Sequence, residues 1–289
     1  MYTLTVFTST YNRAEYLKKC YQSLIAQTNL DFIWQVIDDG SSDGTKELIE
    51  SFIQEKKIAI DYHWKKNGGK ASSINYSLDI TQTPLWMSLD SDDYLFEKAV
   101  DVILTASKDI MNNEAVSGIF AVRSDPSGKP MKAVDVPPCV AYATQLDIRY
   151  KYNVAPEYVQ VYKTQVINKY RFPICDGERF VTESWMQDQI DQEYVFKIIH
   201  EPLMVCEYLP DGLTNSYYRL IRNNPRGFLA FYAQRVKLCK IIKQKMIAGI
   251  MYNAVYSLIN DRTIKREKGF IICFTSMMGK LMLNKIKNK

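Results

Sequence analysis

The chain has no Cys-x-x-Cys pair and no cysteine spacing of a metal site; its six cysteines, Cys20, Cys139, Cys175, Cys206, Cys239 and Cys273, are scattered. That pattern predicts reduced, mostly buried thiols in a cytoplasmic chain rather than a disulfide or zinc framework. No run of apolar residues reaches the roughly 18 needed for a membrane-spanning helix. Met1-Tyr2-Thr3-Leu4 leads directly into a strand-like stretch, which reads as a chain without a signal peptide. No Gly-x-Gly-x-x-Gly follows the first strand, which argues against a dinucleotide oxidoreductase. Internal repeats and low-complexity tracts are also missing.

The C-terminal quarter lacks acid. Residues 217–289 carry 16 Lys and Arg against 2 Asp and Glu, a net of +14, which leaves 21 against 30 in residues 1–216, a net of −9. The overall charge of +5 therefore hides an acidic body with a basic, aromatic-containing tail. Such a tail suits an anionic surface, and the plain alternative is a solvated helical region. With 289 residues and 47% hydrophobic content, one large or two small domains can bury a real core.

Strand-like runs alternate with helical periodicity through the first half. Thr3–Thr8, Phe32–Ile37, Ile58–Trp64, Pro84–Ser88 and Ser117–Val122 read as strands, with helical faces at Leu17-Cys20-Leu24, Leu48-Phe52, Ile74-Leu78 and Val100-Ile103 between them. Strand, loop and helix in repetition imply a mostly parallel sheet with helices on both faces. The polar loops 9–13, 38–45, 65–70 and 90–95 each follow a strand, so all four are expected at one sheet edge, where open α/β sheets bind ligands. Residues 124–152 read as a proline-containing loop. A strand follows at Tyr158–Tyr162, a capped helix start with Thr182 as N-cap, and a strand pair at 194–199 and 203–208. Residues 227 to about 260 and 269–282 read as helices, the last as interfacial or packed.

The most unusual stretch is Leu89-Asp90-Ser91-Asp92-Asp93, three carboxylates at the end of a buried strand. Charges there cannot be desolvated without partners. Clustered carboxylates suit a hard divalent cation that also holds phosphate oxygens. The competing reading makes Asp92 or Asp93 the N-cap of a helix over Glu97–Met111.

Thr10-Tyr11-Asn12-Arg13, Asp38-Asp39-Gly40-Ser41-Ser42-Asp43-Gly44-Thr45, Asn67-Gly68-Gly69-Lys70 and Leu89-Asp90-Ser91-Asp92-Asp93 follow one another in the first hundred residues. In that order they resemble the family 2 glycosyltransferases of GT-A fold, over about residues 1–215. The resemblance implies an α/β GT-A fold with a mostly parallel central sheet flanked by helices. Residues 1–123 would be its nucleotide-sugar-binding half, 124–215 its acceptor-binding half, and 216–289 a basic helical extension. It implies transfer from a nucleotide-diphosphate sugar, with a lean to UDP, to a hydroxyl with inversion, assisted by Mn²⁺ or Mg²⁺.

On that resemblance Asp92 would hold the metal and Asp90 would support it or accept from the ribose, with Ser91 between them. Asp93 joins either task or merely caps. Asp39 would accept from the base, and Thr10, Tyr11 and Arg13 would line it. Lys70 would meet the diphosphate, or else be a solvated loop lysine. Family members often carry an arginine after the Asn-Gly loop; here the stretch is Ser73-Ile74-Asn75. The general base on the acceptor hydroxyl would be Glu183, with Asp188 as runner-up, and Ser184 stands where a second acid is common. Trp185 would stack on an acceptor sugar or fill the core. His200 would complete the metal site or simply pack in its strand. Glu207-Tyr208 and Asp211–Thr214 are the lid candidate.

The expected partners are a nucleotide-sugar donor, a glycan or lipid-linked acceptor of a cell-surface polysaccharide, and an anionic membrane surface met through 217–289 at the inner face of a bacterial plasma membrane. Nucleic acid is not expected, because the acidic body would repel phosphate. Ser9-Thr10-Tyr11-Asn12-Arg13 lacks the glycines of a sugar-nucleotide pyrophosphorylase loop. Two alternatives remain: a catalytically impaired nucleotide-sugar-binding relative, and a nucleic-acid- or membrane-binding protein acting through its tail.

Overall fold

A computed structural model describes residues 2–131, 136–154, 158–206, 217–259, 261 and 263–288. The lid candidate at 207–214 lies outside the described residues. The chain forms two compact units: 1–67, 73–170 and 193–207 make the first, and 68–72, 171–192 and 208–289 the second. Residues 171–192, read from sequence with the acceptor half, thus group with the C-terminal helices.

The first unit is built on a mixed sheet. Its strands are β1 (Leu4–Thr10), β2 (Phe32–Asp38), β3 (Ala59–Trp64), β4 (Leu85–Ser88), β5 (Tyr94–Leu95), β6 (Val116–Ser124), β7 (Tyr142–Ala143), β8 (Tyr158–Lys163) and β9 (Val195–Val205). Their order is β3-β2-β1-β4-β8-β6-β9-β5, with β7 also on β9. The pairs β3-β2, β2-β1, β1-β4 and β6-β9 are parallel. The pairs β4-β8, β8-β6, β9-β5 and β7-β9 are antiparallel. The mostly parallel sheet expected from the sequence is parallel through β3-β2-β1-β4 and between β6 and β9, and antiparallel in the other pairs.

Alternation divides the central strands between two faces. Leu4, Val6, Trp34 and Val36 point into one core with Leu17, Tyr21 and Leu24 of α1 (Ala14–Ile25), Ile49 and Phe52 of α2 (Thr45–Glu55), and Ile103 of α4 (Ala99–Lys108). There Tyr21 stacks on Phe52 at 3.9 Å, and the buried Trp34 donates from Nε1 to Thr8 Oγ1 at 2.9 Å. On the opposite face Phe7 stacks on Trp86 at 5.3 Å. Ser77 of α3 (Lys70–Ile80) donates to Gln35 Oε1 and accepts from Trp86 Nε1, so the buried amide and indole find partners.

Three elements depart from expectation. The stretch read as a loop at 124–152 contains β7 and α5 (Gln145–Tyr150), capped by Thr144, whose Oγ1 accepts from Asp147 N at 3.0 Å. The expected strand pair after 194 is the single strand β9, whose register against β6 shifts around Pro202. The helix expected from 227 to 260 is two, α9 (Pro225–Leu238) and α10 (Ile242–Tyr256), separated by an extended Cys239 and Ile241.

The second unit is helical. It comprises α7 (Ser184–Ile190), α8 (Tyr217–Asn223), α9, α10, α11 (Phe270–Phe274) and α12 (Ser276–Asn288) around a core of Ile221, Phe228, Tyr232, Tyr252, Val255, Ile272 and Ile286. Glu178 caps α9, its carboxylate accepting from Arg226 N at 2.7 Å and Gly227 N at 2.8 Å. Among the described residues no helix is long and apolar enough to cross a membrane.

Candidate active site

The strand order reverses at β1, which sits between β2 and β4. Register places Thr10 beside Asp38, Asp38 beside Trp64, and Phe7 beside Ser88, so the carboxyl ends of these four strands share an edge. Backbone bonds continue the ladder into the loops: Asp39 N to Thr10 O and Leu89 N to Phe7 O, both 2.8 Å, and Lys65 N to Asp38 O at 2.9 Å. A crevice outside the carboxyl ends at such a reversal is where open α/β sheets take ligands.

Side chains then lock loop to loop. Asn12, with a left-handed φ of 51°, accepts at Oδ1 from Ser42 N at 2.8 Å, and its own N–H donates to Ser41 Oγ at 2.9 Å. Asp38 is fully buried; it accepts from Ser41 N at 2.7 Å and from Tyr62 Oη at 2.9 Å, which fixes the turn. Asp43 accepts from Ala14 N and from Thr45, tying the starts of α1 and α2 together. Burial opposes its ionisation, but these hydrogen bonds outweigh burial and hold its pKa below the ordinary carboxylate range.

Asp39 is buried and accepts from Lys65 Nζ at 2.6 Å. Lys65 was not foreseen as a site residue, and only the β2-β3 register brings it to this carboxylate. Tyr11 stands exposed on the first loop, while Thr10 Oγ1 is buried and finds no hydrogen-bond partner among the described residues.

The loop after β4 turns on a bond from Asp93 N to Asp90 O at 3.0 Å. Its chain then pairs as β5 before α4 begins at Ala99, with Lys98 at the cap position. Neither Asp92 nor Asp93 caps that helix, which removes the competing reading of the three carboxylates. Arg13 Nη1 donates to Asp92 Oδ2 at 2.9 Å and lies 3.4 Å from Ser91 Oγ. Asp93 is buried, where Cys206 Sγ donates to its Oδ2 at 3.1 Å. Burial first, then the neighbouring charge of Asp90, pushes Asp93 up to about 7, against the pull of Arg123. Burial likewise drives the Cys206 thiol upward. Arg123 and Cys206 are site neighbours that no sequence motif announced.

Among the described residues no three Asp, Glu, His or Cys side chains converge as a ready metal cage. The donor set still fits Mn²⁺ or Mg²⁺, because such ions are commonly held by one or two carboxylates plus substrate phosphates and water. Asp92 and Asp90 are the carboxylates that fit. His200 lies exposed in β9 rather than packed. His63 Nε2 sits 2.8 Å from Asp61 Oδ1.

In the second unit, Lys70 Nζ lies 2.6 Å from Glu183 Oε1. Gly69 makes that approach possible. It has a left-handed φ of 84°, and a Cβ there would fall 1.7 Å from Arg179 O. Glu183 immediately precedes α7, and no side chain caps the helix, contrary to the expectation for Thr182. Trp185 Nε1 donates to Arg171 O at 3.0 Å and the ring packs on the helical core. Asp188 is buried and accepts from Arg235 Nε at 2.9 Å and Nη2 at 3.4 Å. Three cysteines are buried, Cys175 is half-buried, and Cys139 and Cys273 are exposed.

The family model of Glycosyl transferase family 2 matches residues 5–169, and the chain belongs to that family. It is 33% identical over 105 residues to a teichoic acid poly(glycerol phosphate) polymerase of Staphylococcus epidermidis, covering 36% of this chain and 15% of that protein. It is 29% identical over 117 residues to a chondroitin synthase of Pasteurella multocida, covering 40% of this chain and 12% of that protein. The chain thus spans less than a fifth of the length of these curated relatives. Among solved structures it is similar to residues 1–349 of S. aureus TarS in complex with UDP-GlcNAc, with TM-score 0.59 and 16% identity over 99% of this chain and 90% of that one. It is also similar to the mannosyltransferase PcManGT from Pyrobaculum calidifontis in complex with GDP-Man and Mn²⁺, with TM-score 0.56 and 14% identity over 99% and 86%. These likenesses establish the GT-A fold.

Proposed function

We propose that the chain transfers a sugar from a nucleotide-diphosphate donor, a UDP-sugar, to a hydroxyl of a glycan or lipid-linked acceptor with inversion, in the synthesis of a cell-surface polysaccharide. One observation carries this reading: the loops after β1, β2 and β4 interlock at the strand-order reversal and bring Thr10, Tyr11, Arg13, Asp39, Asp90, Ser91 and Asp92 to one edge. The family's relatives support it by their names, two of which are polysaccharide synthases.

In this reading the base sits against Tyr11 and the Asp39–Lys65 pair. Asp92 and Asp90 would hold Mn²⁺ or Mg²⁺, which would supply positive charge against the donor's diphosphate. Arg13 shifts its hydrogen bonds from Asp92 toward the donor. Glu183 takes the proton of the acceptor hydroxyl, and Lys70, 2.6 Å away, orients that carboxylate. Asp188, sealed against Arg235, anchors α7 instead. Residues 217–289 face an anionic membrane surface, where a lipid-linked acceptor resides.

Hydrolysis of UDP-sugars tests this. Turnover that requires Mn²⁺ or Mg²⁺ and stops on chelation is expected. Ser184 in place of a second acid and Ser73-Ile74-Asn75 in place of an arginine-bearing run favour a second reading, a donor-binding relative without turnover. Binding without hydrolysis or transfer would select it.

A further inference from the structure

The helices α11 and α12 present two apolar faces. The inner one is committed to the bundle. Gly249 and Gly279 let α10 and α12 approach so closely that a Cβ at Gly279 would fall 2.4 Å from Asn253 Cβ. Asn253, itself buried, donates to Ile272 O at 2.8 Å and to Thr275 Oγ1 at 3.1 Å, fixing the junction of α11 and α12. Ile272 and Ile286 complete the seal.

Among the described residues the outer face has no such partner. Phe270, Phe274, Met277, Met278 and Leu281 recur at helical spacing, and each is between 50% and 80% exposed. The two phenyl rings stack at 5.9 Å and extend the stripe across the junction. Exposed Lys280, Lys285 and Lys287 accompany it, and residues 270–288 contain no acid. A contiguous exposed apolar stripe of this kind marks an interaction surface.

We propose that this face docks the chain on an anionic lipid bilayer, with the five apolar side chains entering the headgroup layer and the lysines meeting lipid phosphates. The +14 charge of residues 217–289 supplies the attraction and the stripe supplies the insertion. Nucleic acid would use the lysines but has no use for five projecting apolar side chains. The proposal deepens the membrane-facing reading of residues 217–289 given above, and it does not depend on the transferase reading.

The test is flotation of the full chain with vesicles of phosphatidylcholine, alone or mixed with phosphatidylglycerol, without nucleotide. Binding to the mixed vesicles is expected, weakening as salt rises. The triple variant Phe270→Ser, Phe274→Ser, Leu281→Ser should lose it about tenfold or more while keeping the wild-type melting temperature. Wild-type chain that does not float, or a folded triple variant that floats equally well, overturns the proposal. So does a wild-type dimer by light scattering that the triple variant converts to a monomer, which would show that a second copy covers the face. Should the triple variant not fold, Met277→Trp decides: added quenching by bromine-labelled acyl chains supports insertion, and its absence in vesicle-bound protein overturns it.

Discussion

Arg13 Nη1 donates to Asp92 Oδ2 at 2.9 Å, joining the loop after β1 to the loop after β4 across the reversal of strand order. Without donor, the arginine neutralises the carboxylate proposed to hold the metal. The pair is partly exposed, with side chains 38% and 20% accessible, so solvent screens it. Asp92→Ala should therefore change stability by no more than about 1 kcal/mol in chelator, measured by urea unfolding. A larger loss would mean that the pair is structural.

Asp93 is predicted to set a pH dependence of stability. Its folded pKa, about 7, lies above the ordinary 3.8, so folding favours the protonated acid. The penalty is absent below pH 3.8, grows as pH rises between the two values, and is complete above pH 7. The apo chain should lose stability on the order of 4 kcal/mol across that window. Asp93→Asn should flatten the profile and stabilise the chain at pH 8. Unfolding midpoints in chelator at pH 5 and pH 8 check this.

The repeated strand-loop-helix order and the four polar loops were legible because each loop follows a short run of mostly apolar residues and precedes a helical period. The carboxylates at 90–93 were legible because no buried strand end carries such charge without a task. Lys65, Arg123 and Cys206 were not, because their approach to Asp39 and Asp93 depends on cross-strand register. The two-residue strands β5 and β7 are too short to show a period. The helix α5 does carry a signal, Thr144 three residues before Asp147, but it lies in a stretch whose prolines read as loop. The break at Cys239 has no Gly or Pro to mark it.

Glu183 and Asp188 should separate cleanly. Glu183→Gln should lower kcat by roughly 10²- to 10⁴-fold while leaving nucleotide affinity unchanged. Asp188→Asn removes the carboxylate charge that faces the Arg235 guanidinium, whose side chain is 17% exposed, and should cost about 3–5 kcal/mol of stability. Kinetics and urea unfolding on both variants check this; the reverse pattern would assign the base to Asp188.

Gly69→Ala would place a methyl group against Arg179 O in a backbone conformation that L residues avoid. Its cost should exceed the roughly 1–2 kcal/mol of left-handed strain alone. Because the loop must shift to relieve the contact, the Lys70–Glu183 pair should open and kcat should fall. A melting temperature and rate equal to wild type would show that the loop relaxes freely.

The most direct test of the account is calorimetric binding of UDP, GDP and dTDP, each with Mn²⁺ and with chelator, to the wild-type chain and to Asp92→Ala. Metal-dependent binding of UDP is expected, weakened more than about tenfold in Asp92→Ala while that variant stays folded. Failure to bind any of the three nucleotides, or binding that ignores both the metal and Asp92, would contradict it.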